Sequence, residues 1–429
     1  MMLHRSDDRA VELSAEFLET LFGGHFLDGF DVRLWDGTIL ASRTVESRFT
    51  LLVNDPTALR AAFSPPVDLN AGRAFVEGSL DIAGDVSEAI GAMNDINNER
   101  TAAQTVRILY LLSRLPRPAH RNGRVMQAHL TGAEHSKERD RAAIAHHYDH
   151  PVDFYASFLD AQLVYSCGYF ERDDATLDDA QASKLDYILR KLRVESGMSF
   201  LDIGCGWGSL VIAAARKGAT ALGITLSRVQ YEAANRSIQD AGLSGRATVE
   251  FLDYRDLGQR RFDRIASIGM IEHVGKKNFA TYFKKAFDAL RPGGLFLNHG
   301  IAEQSPGRTG GRQGGFINRY VFPDGELVAI GESLSIAERE GFEVRDVENL
   351  REHYARTLRE WVANLERNAE KAQAIAGIAA YRVWRLYMSA SRAAFNAGSI
   401  GIYQSLLARP DAQGRVDTPR TRRDLYPSH

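Results

Sequence analysis

The stretch that most constrains the fold is residues 200–210, FLDIGCGWGSL. An apolar run leads into glycines at 204, 206 and 208, and helical spacing follows. Strand, glycine turn and helix together form the corner where an open sheet takes a ligand against its backbone. Alone, such a turn is a weak signal, because glycine also serves tight packing. Its surroundings strengthen it. Between residues 180 and 350, helical patterns (AQASKLDYILRKL, SLVIAAARKG, RVQYEAANRSIQDAG) alternate with short apolar runs (MSFLDIG, TALGITLS, ATVEFLDY, FDRIASIGM, LFLNHGIA). Strands separated by helices predict parallel βαβ units and a doubly wound, Rossmann-like α/β sheet.

A dinucleotide site would place an acid about 20 residues beyond the turn, for the ribose. TALGITLS carries none, which disfavours a nicotinamide dinucleotide. A nucleoside sulfonium fits better. Asp202 precedes the turn, where a carboxylate can organise the loop and meet an ammonium. Thr225, Ser227 and Gln230 offer hydroxyl and amide groups to a ribose. Asp253 ends the following strand, placed to accept from an adenine amine; its bland alternative is a helix cap.

Other polar residues fall at strand ends: Glu272 and His273 in GMIEHVG, His299 in FLNHGIA, and Tyr320 in the loop NRYVFPDG. Ligands of open α/β sheets bind beyond the carboxyl ends of the strands, so Glu272, His299 and Tyr320 are expected to converge with YSCGYF (165–170) near the glycine turn. Singly, each has a plain reading as a cap, a core histidine or a half-buried aromatic. A metal site is the weaker reading. His146 and His147 are adjacent and diverge on a helix, and Cys167 and Cys205 form no C-x-x-C pair.

Residues 1–115 read as a small α+β unit: a helix in VELSAEFLETLF, strands in FDVRLWDGT and SRFTLLV, a helix start at DPTALRAAF, a glycine-punctuated strand or turn in AFVEGSLDIAGD, and a helix in VSEAIGAMNDIN. Residues 116–140 read as a linker. Residues 351–408 read as helix, with an aromatic stripe (Trp361, Tyr381, Trp384, Tyr387, Phe395) that is core or an acyl pocket. The net charge of −2 selects no partner, and two cysteines make no disulfide framework. No apolar run approaches the about 20 residues of a membrane span. Nine basic against three acidic residues between Arg100 and Arg141 are solvated helix faces or a surface for anionic lipid. A cytoplasmic protein is expected, touching a membrane, if at all, from its surface.

With these residues assembled, the chain resembles the cyclopropane-fatty-acyl-phospholipid synthases and the related mycolic acid cyclopropane synthases. HHYDHPVDFYASFLD, YSCGYF, LDIGCGWGSL, ITLSRVQ, LDYRDL, GMIEHVG and INRYVFPDG recur in family order across residues 140–408. The resemblance implies a class I methyltransferase domain over 141–429, preceded by a lipid-binding-like domain. It implies S-adenosylmethionine bound at Tyr165, Ser166, Asp202, Gly204, Gly206, Thr225, Gln230, Asp253 and Tyr254. It implies a bicarbonate base held by the side chains of Glu272, His299 and Tyr320 and by the backbone N–H groups of Cys167 and Ile301. Tyr165, Tyr169, Phe170 and Trp207 are expected to face a developing cation. The implied substrate is a cis-unsaturated acyl chain of a membrane phospholipid, with no nucleic acid involved and a homodimer common among relatives. One departure stands in MSASRAAF, where some bacterial members carry a cysteine and this chain has Ser391. A methyl or methylene branch is the alternative product, and a non-catalytic lipid-binding protein the alternative class.

Overall fold

The computed structural model describes residues 3–44, 46–99, 101–118, 126–128, 130–304, 315–416 and 418–426. Contacts divide the chain into two units. The first comprises Met1–Gln127, Gly314–Val321 and Gly377–Ala393; the second comprises Ala128–Gln313, Phe322–Ala376 and Ala394–His429.

In the first unit, β1 (Phe30–Arg33), β2 (Ile39–Leu40), β3 (Phe49–Val53) and β4 (Leu80–Gly84) form a sheet in the order β2-β1-β3-β4. Only the β1–β3 pair is parallel. Phe17, Leu21, Phe22, Phe30, Val32 and Phe49 fill the core between this sheet and the helix Leu3–Phe22. The strand expected within AFVEGSLDIAGD is β4. The residues before it complete a helix, Val67–Glu77, which Gly78 ends in the left-handed conformation at φ +80°. A further helix, Ala102–Arg114, starts at a capping box in which Thr101 and Gln104 satisfy each other's backbone N–H groups.

The second unit carries β5 (Ser199–Ile203), β6 (Thr220–Thr225), β7 (Ala247–Phe251), β8 (Phe262–Ile268), β9 (Leu290–Glu303), β10 (Glu343–Asn349) and β11 (Ile400–Ala408). Their order is β10-β11-β9-β8-β5-β6-β7, with the five from β9 to β7 parallel. β10 and β11 join antiparallel. The helices Leu177–Lys191, Ser209–Arg216, Arg228–Asp240 and Phe279–Ala289 connect or flank the strands. The doubly wound expectation therefore holds, and the order reverses at the carboxyl ends of β5 and β8, which is the ligand crevice of such sheets.

Two boundaries differ from expectation. Residues 400–408 are strand, not helix. IGIYQSLLA is buried on both faces between β9 and β10, so it lacks the alternation that marks a half-buried strand. The expected linker is shorter at its end, because Ser136 caps a helix, Lys137–Tyr148, by accepting from Arg139 N. Its residues 119–125 and 129 lie outside the described ones. Segments 314–321 and 377–393, expected within the catalytic domain, group with the first unit.

Candidate active site

The glycine turn leaves β5 and bends sharply. Gly204 sits at φ +77° and Gly206 at +54°, conformations that side-chain-bearing residues rarely take. The result is a cleft with about 940 Å³ of empty space counting its open mouth. Tyr165, Ser166, Asp202, Gly204, Gly206, Thr225, Gln230 and Tyr254 all line it, as do Trp207, Met270 and His273. Eight of the nine expected cofactor positions thus share one cleft.

The ninth does not. Asp253 accepts from Arg255 N at 2.9 Å and pairs with its guanidinium at 2.6 Å, capping the turn Tyr254–Asp256. The plain reading of Asp253 as a cap is realised. Ser227 likewise caps the helix Arg228–Asp240 and donates to Asp149 Oδ1 at 2.7 Å. Thr225 Oγ1 donates to Gln230 Oε1 at 2.8 Å, which presets both groups at the end of β6.

Sequence reasoning missed Lys184. It is buried, lines the cleft and donates to Ser166 Oγ at 2.9 Å. Burial pulls its ammonium down to about 8, against the pull of Asp160, Cys167 and Asp202. Burial pushes Asp202 up to about 7, with Lys184 opposing. One Asp202 oxygen, Oδ1, has no protein partner. The signal was available, since a lysine stands at position 184 where the helix Leu177–Lys191 turns its apolar side inward.

Beside the cleft, the turn Ile271–His273 packs closely on β9. A Cβ at Gly300 would stand 2.3 Å from Ile271 Cγ2, so only glycine admits the turn there. That approach delivers Glu272 to the strand, where Ile301 N donates to Glu272 Oε1 at 2.7 Å. The Ile301 N–H expected to face an anion is therefore held by Glu272. Glu272 Oε2 and both ring nitrogens of His299 are buried with no protein partner. Burial pushes Glu272 up to about 7 and drives His299 well below the ordinary histidine range, with Lys184 and Lys191 adding to the latter effect. His299 O accepts from Gly269 N at 2.8 Å, so the turn and the strand are tied at two places.

Four more of the expected residues have the following surroundings. Cys167 is fully buried, its thiol directed to the carbonyls of Gly168 at 3.3 Å and Leu350 at 3.8 Å, and burial pushes it far above the ordinary thiol range. Tyr169 stacks between Tyr187 and His353, and Phe170 carries the Arg356 guanidinium 4.1 Å from its centroid. Their faces are occupied, whereas Tyr165 and Trp207 remain at the cleft. Tyr320 ends the helix Phe316–Tyr320, stacks on Phe316, and bonds Gln127 Nε2 at 3.0 Å, all within the first unit. The stripe residues Trp361, Trp384 and Phe395 are buried core.

The model of the family described as mycolic acid cyclopropane synthetase matches residues 135–405. This chain belongs to that family. With it comes membership of the S-adenosylmethionine-dependent methyltransferases that act on lipids. The chain is 41% identical over 400 residues to the "Probable fatty acid methyltransferase" of Pseudomonas putida, covering 92% of this chain and 95% of that one. Among solved structures it matches the cyclopropane synthase MmaA2 from Mycobacterium tuberculosis at 32% identity and a TM-score of 0.59, over 62% of this chain and 98% of that one. It matches the mycolic acid cyclopropane synthase CmaA1, complexed with SAH and CTAB, at 33% identity and a TM-score of 0.59, again over 62% and 98%. The fold is thus that of the class I methyltransferases.

Proposed function

We propose that the protein is a cyclopropane fatty acid synthase acting on cis double bonds in phospholipid acyl chains, with bicarbonate as its base. In this chemistry the alkene takes the sulfonium methyl, the thioether leaves, and loss of a proton from the new methyl closes the ring. The observation that carries the reading is the buried polar set of Glu272 Oε2 and His299, which lacks protein partners beside the cleft. Buried polar groups are ordinarily hydrogen-bonded, so these fit a small polar guest.

The residues suit a singly protonated oxyanion in particular. Glu272, pushed up to about 7 by burial, can donate as a carboxyl, and neutral His299 offers one donor and one acceptor. The Lys184 ammonium acts electrostatically on His299 and favours an anion nearby. Glu272 and His299 hold the base and orient it, while Asp202, Ser166, Thr225 and Gln230 hold the cofactor. Tyr165 and Trp207 offer π faces to a cation and help exclude water.

The test is incubation with S-adenosylmethionine and vesicles containing a cis-monounsaturated chain. The expected product gains the mass of one CH₂ and shows ring protons upfield in proton NMR. Vinylidene protons downfield, or a saturated methyl branch, would assign the enzyme instead to branch-forming methyl transfer, which the name of the Pseudomonas relative also fits. Cofactor binding with no lipid product would leave a lipid-binding protein.

A further inference from the structure

One wall of the cleft carries a buried cation and a buried carboxylate. Lys184 and Asp202 both line it, each 2% exposed. They act on each other electrostatically, yet Asp202 Oδ1 has no protein partner. Lys184 is committed instead to the YSCGYF loop. Its Nζ donates to Ser166 Oγ at 2.9 Å. Gln181, three residues earlier on the same helix, donates from Nε2 to Ser166 O at 2.8 Å. Residues three apart share a helix face, so the helix Leu177–Lys191 grips Ser166 by backbone and side chain together. The other carboxylate acting on Lys184, Asp160, is spent on the loop: Oδ1 accepts from Val164 N at 2.7 Å and Oδ2 from Gln162 N at 2.9 Å.

This arrangement fixes a polarity. An ammonium only donates, so Ser166 Oγ accepts and its own hydrogen is left to donate. No described residue takes that hydrogen, and Ser166 lines the cleft. Buried charges are costly unless matched, so a wall bearing both signs fits a guest bearing both signs. The amino-acid end of S-adenosylmethionine, an ammonium beside a carboxylate, is such a guest. We propose that Lys184 is a positioning residue for the cofactor's carboxylate: it holds Ser166 as a donor toward that group and supplies the positive charge beside it, while Asp202 takes the ammonium. The inference goes beyond the proposed function and holds whichever lipid product is formed.

The experiment is titration calorimetry of the intact protein with S-adenosylhomocysteine and with its decarboxylated analogue, which keeps the adenosine, the thioether and the amine. Wild type is expected to bind the carboxylate-bearing ligand at least about tenfold more tightly, the worth of a hydrogen bond to a charged group. Lys184→Met keeps the length of the side chain and removes its charge; it is expected to bring the two affinities within about twofold of each other. Ser166→Ala is expected to cut the preference at least about threefold. A Lys184 that merely supports the loop would weaken both ligands equally and leave the preference intact. A wild type without the preference, or an unchanged preference in either variant, would overturn the proposal. Ser166→Ala decides where Lys184→Met does not fold. Binding is read without lipid or turnover, so absence of a cyclopropane product would sink the proposed function and leave this result standing.

Discussion

Glu272 holds its carboxyl Oε2 out of contact with solvent, and its titration should show in stability. Its ordinary value is 4.5 and burial pushes it up to about 7. A raised carboxyl costs nothing while protonated. Its contribution is therefore fully present below the unfolded value and is lost as pH rises through the folded one. Glu272→Gln keeps an acceptor for Ile301 N–H and removes the ionisation. Wild type and variant should unfold together in denaturant near pH 4.5, and by pH 8 the variant should lead by about 1–3 kcal/mol. A difference that is constant with pH would contradict the burial argument. At this scale the sequence was informative about Asp202, Thr225 and Gln230, because strand-end positions next to a glycine turn have few alternative environments. At Asp253 it offered a cap and a ligand role together, and the structure shows the cap. It missed Lys184, although the lysine stands on the inward side of its helix, because a charged residue there reads first as a break in the apolar stripe.

Among the elements, the parallel strands and their helices were legible from alternation of apolar period. β11 was not, because burial on both faces erases that period and a long helix precedes it. The helix Ala102–Arg114 was hidden in a stretch read mainly for its charge. It buries Ile108, Leu111 and Leu112 and exposes Val106, Leu109 and Tyr110 by 68%, 54% and 51%. Arg107 and Arg114 lie within 6 Å of the Tyr110 ring. An exposed apolar face beside two arginines fits the surface contact with anionic membrane that the sequence leads one to expect. Val106→Ser, Leu109→Ser and Tyr110→Ser combined should weaken binding to anionic vesicles at least about tenfold by co-sedimentation, since each apolar side chain is worth more than 1 kcal/mol when buried. Raised salt should weaken wild-type binding as well. Binding indifferent to the substitutions and to salt would refute this surface. No helix among the described residues is long and apolar enough to cross a membrane.

For the molecule as a whole, the sheet order places the reversal point between β5 and β8, so the cofactor cleft and the Glu272–His299 pair follow from one topology. The division into units was less legible. Two short segments late in the chain group with the first unit, and local periodicity says nothing about which body a segment packs upon. On the proposed function, Glu272 and His299 hold the base and leave the cofactor to other residues. Its most direct test compares Glu272→Ala and His299→Ala with wild type for kcat on lipid vesicles and for S-adenosylmethionine affinity by calorimetry. The account predicts that kcat falls by about 100-fold or more, the range of lost acid–base function, while cofactor affinity stays within about twofold, a few tenths of a kcal/mol. Cofactor affinity that collapses while kcat at saturation survives would contradict it.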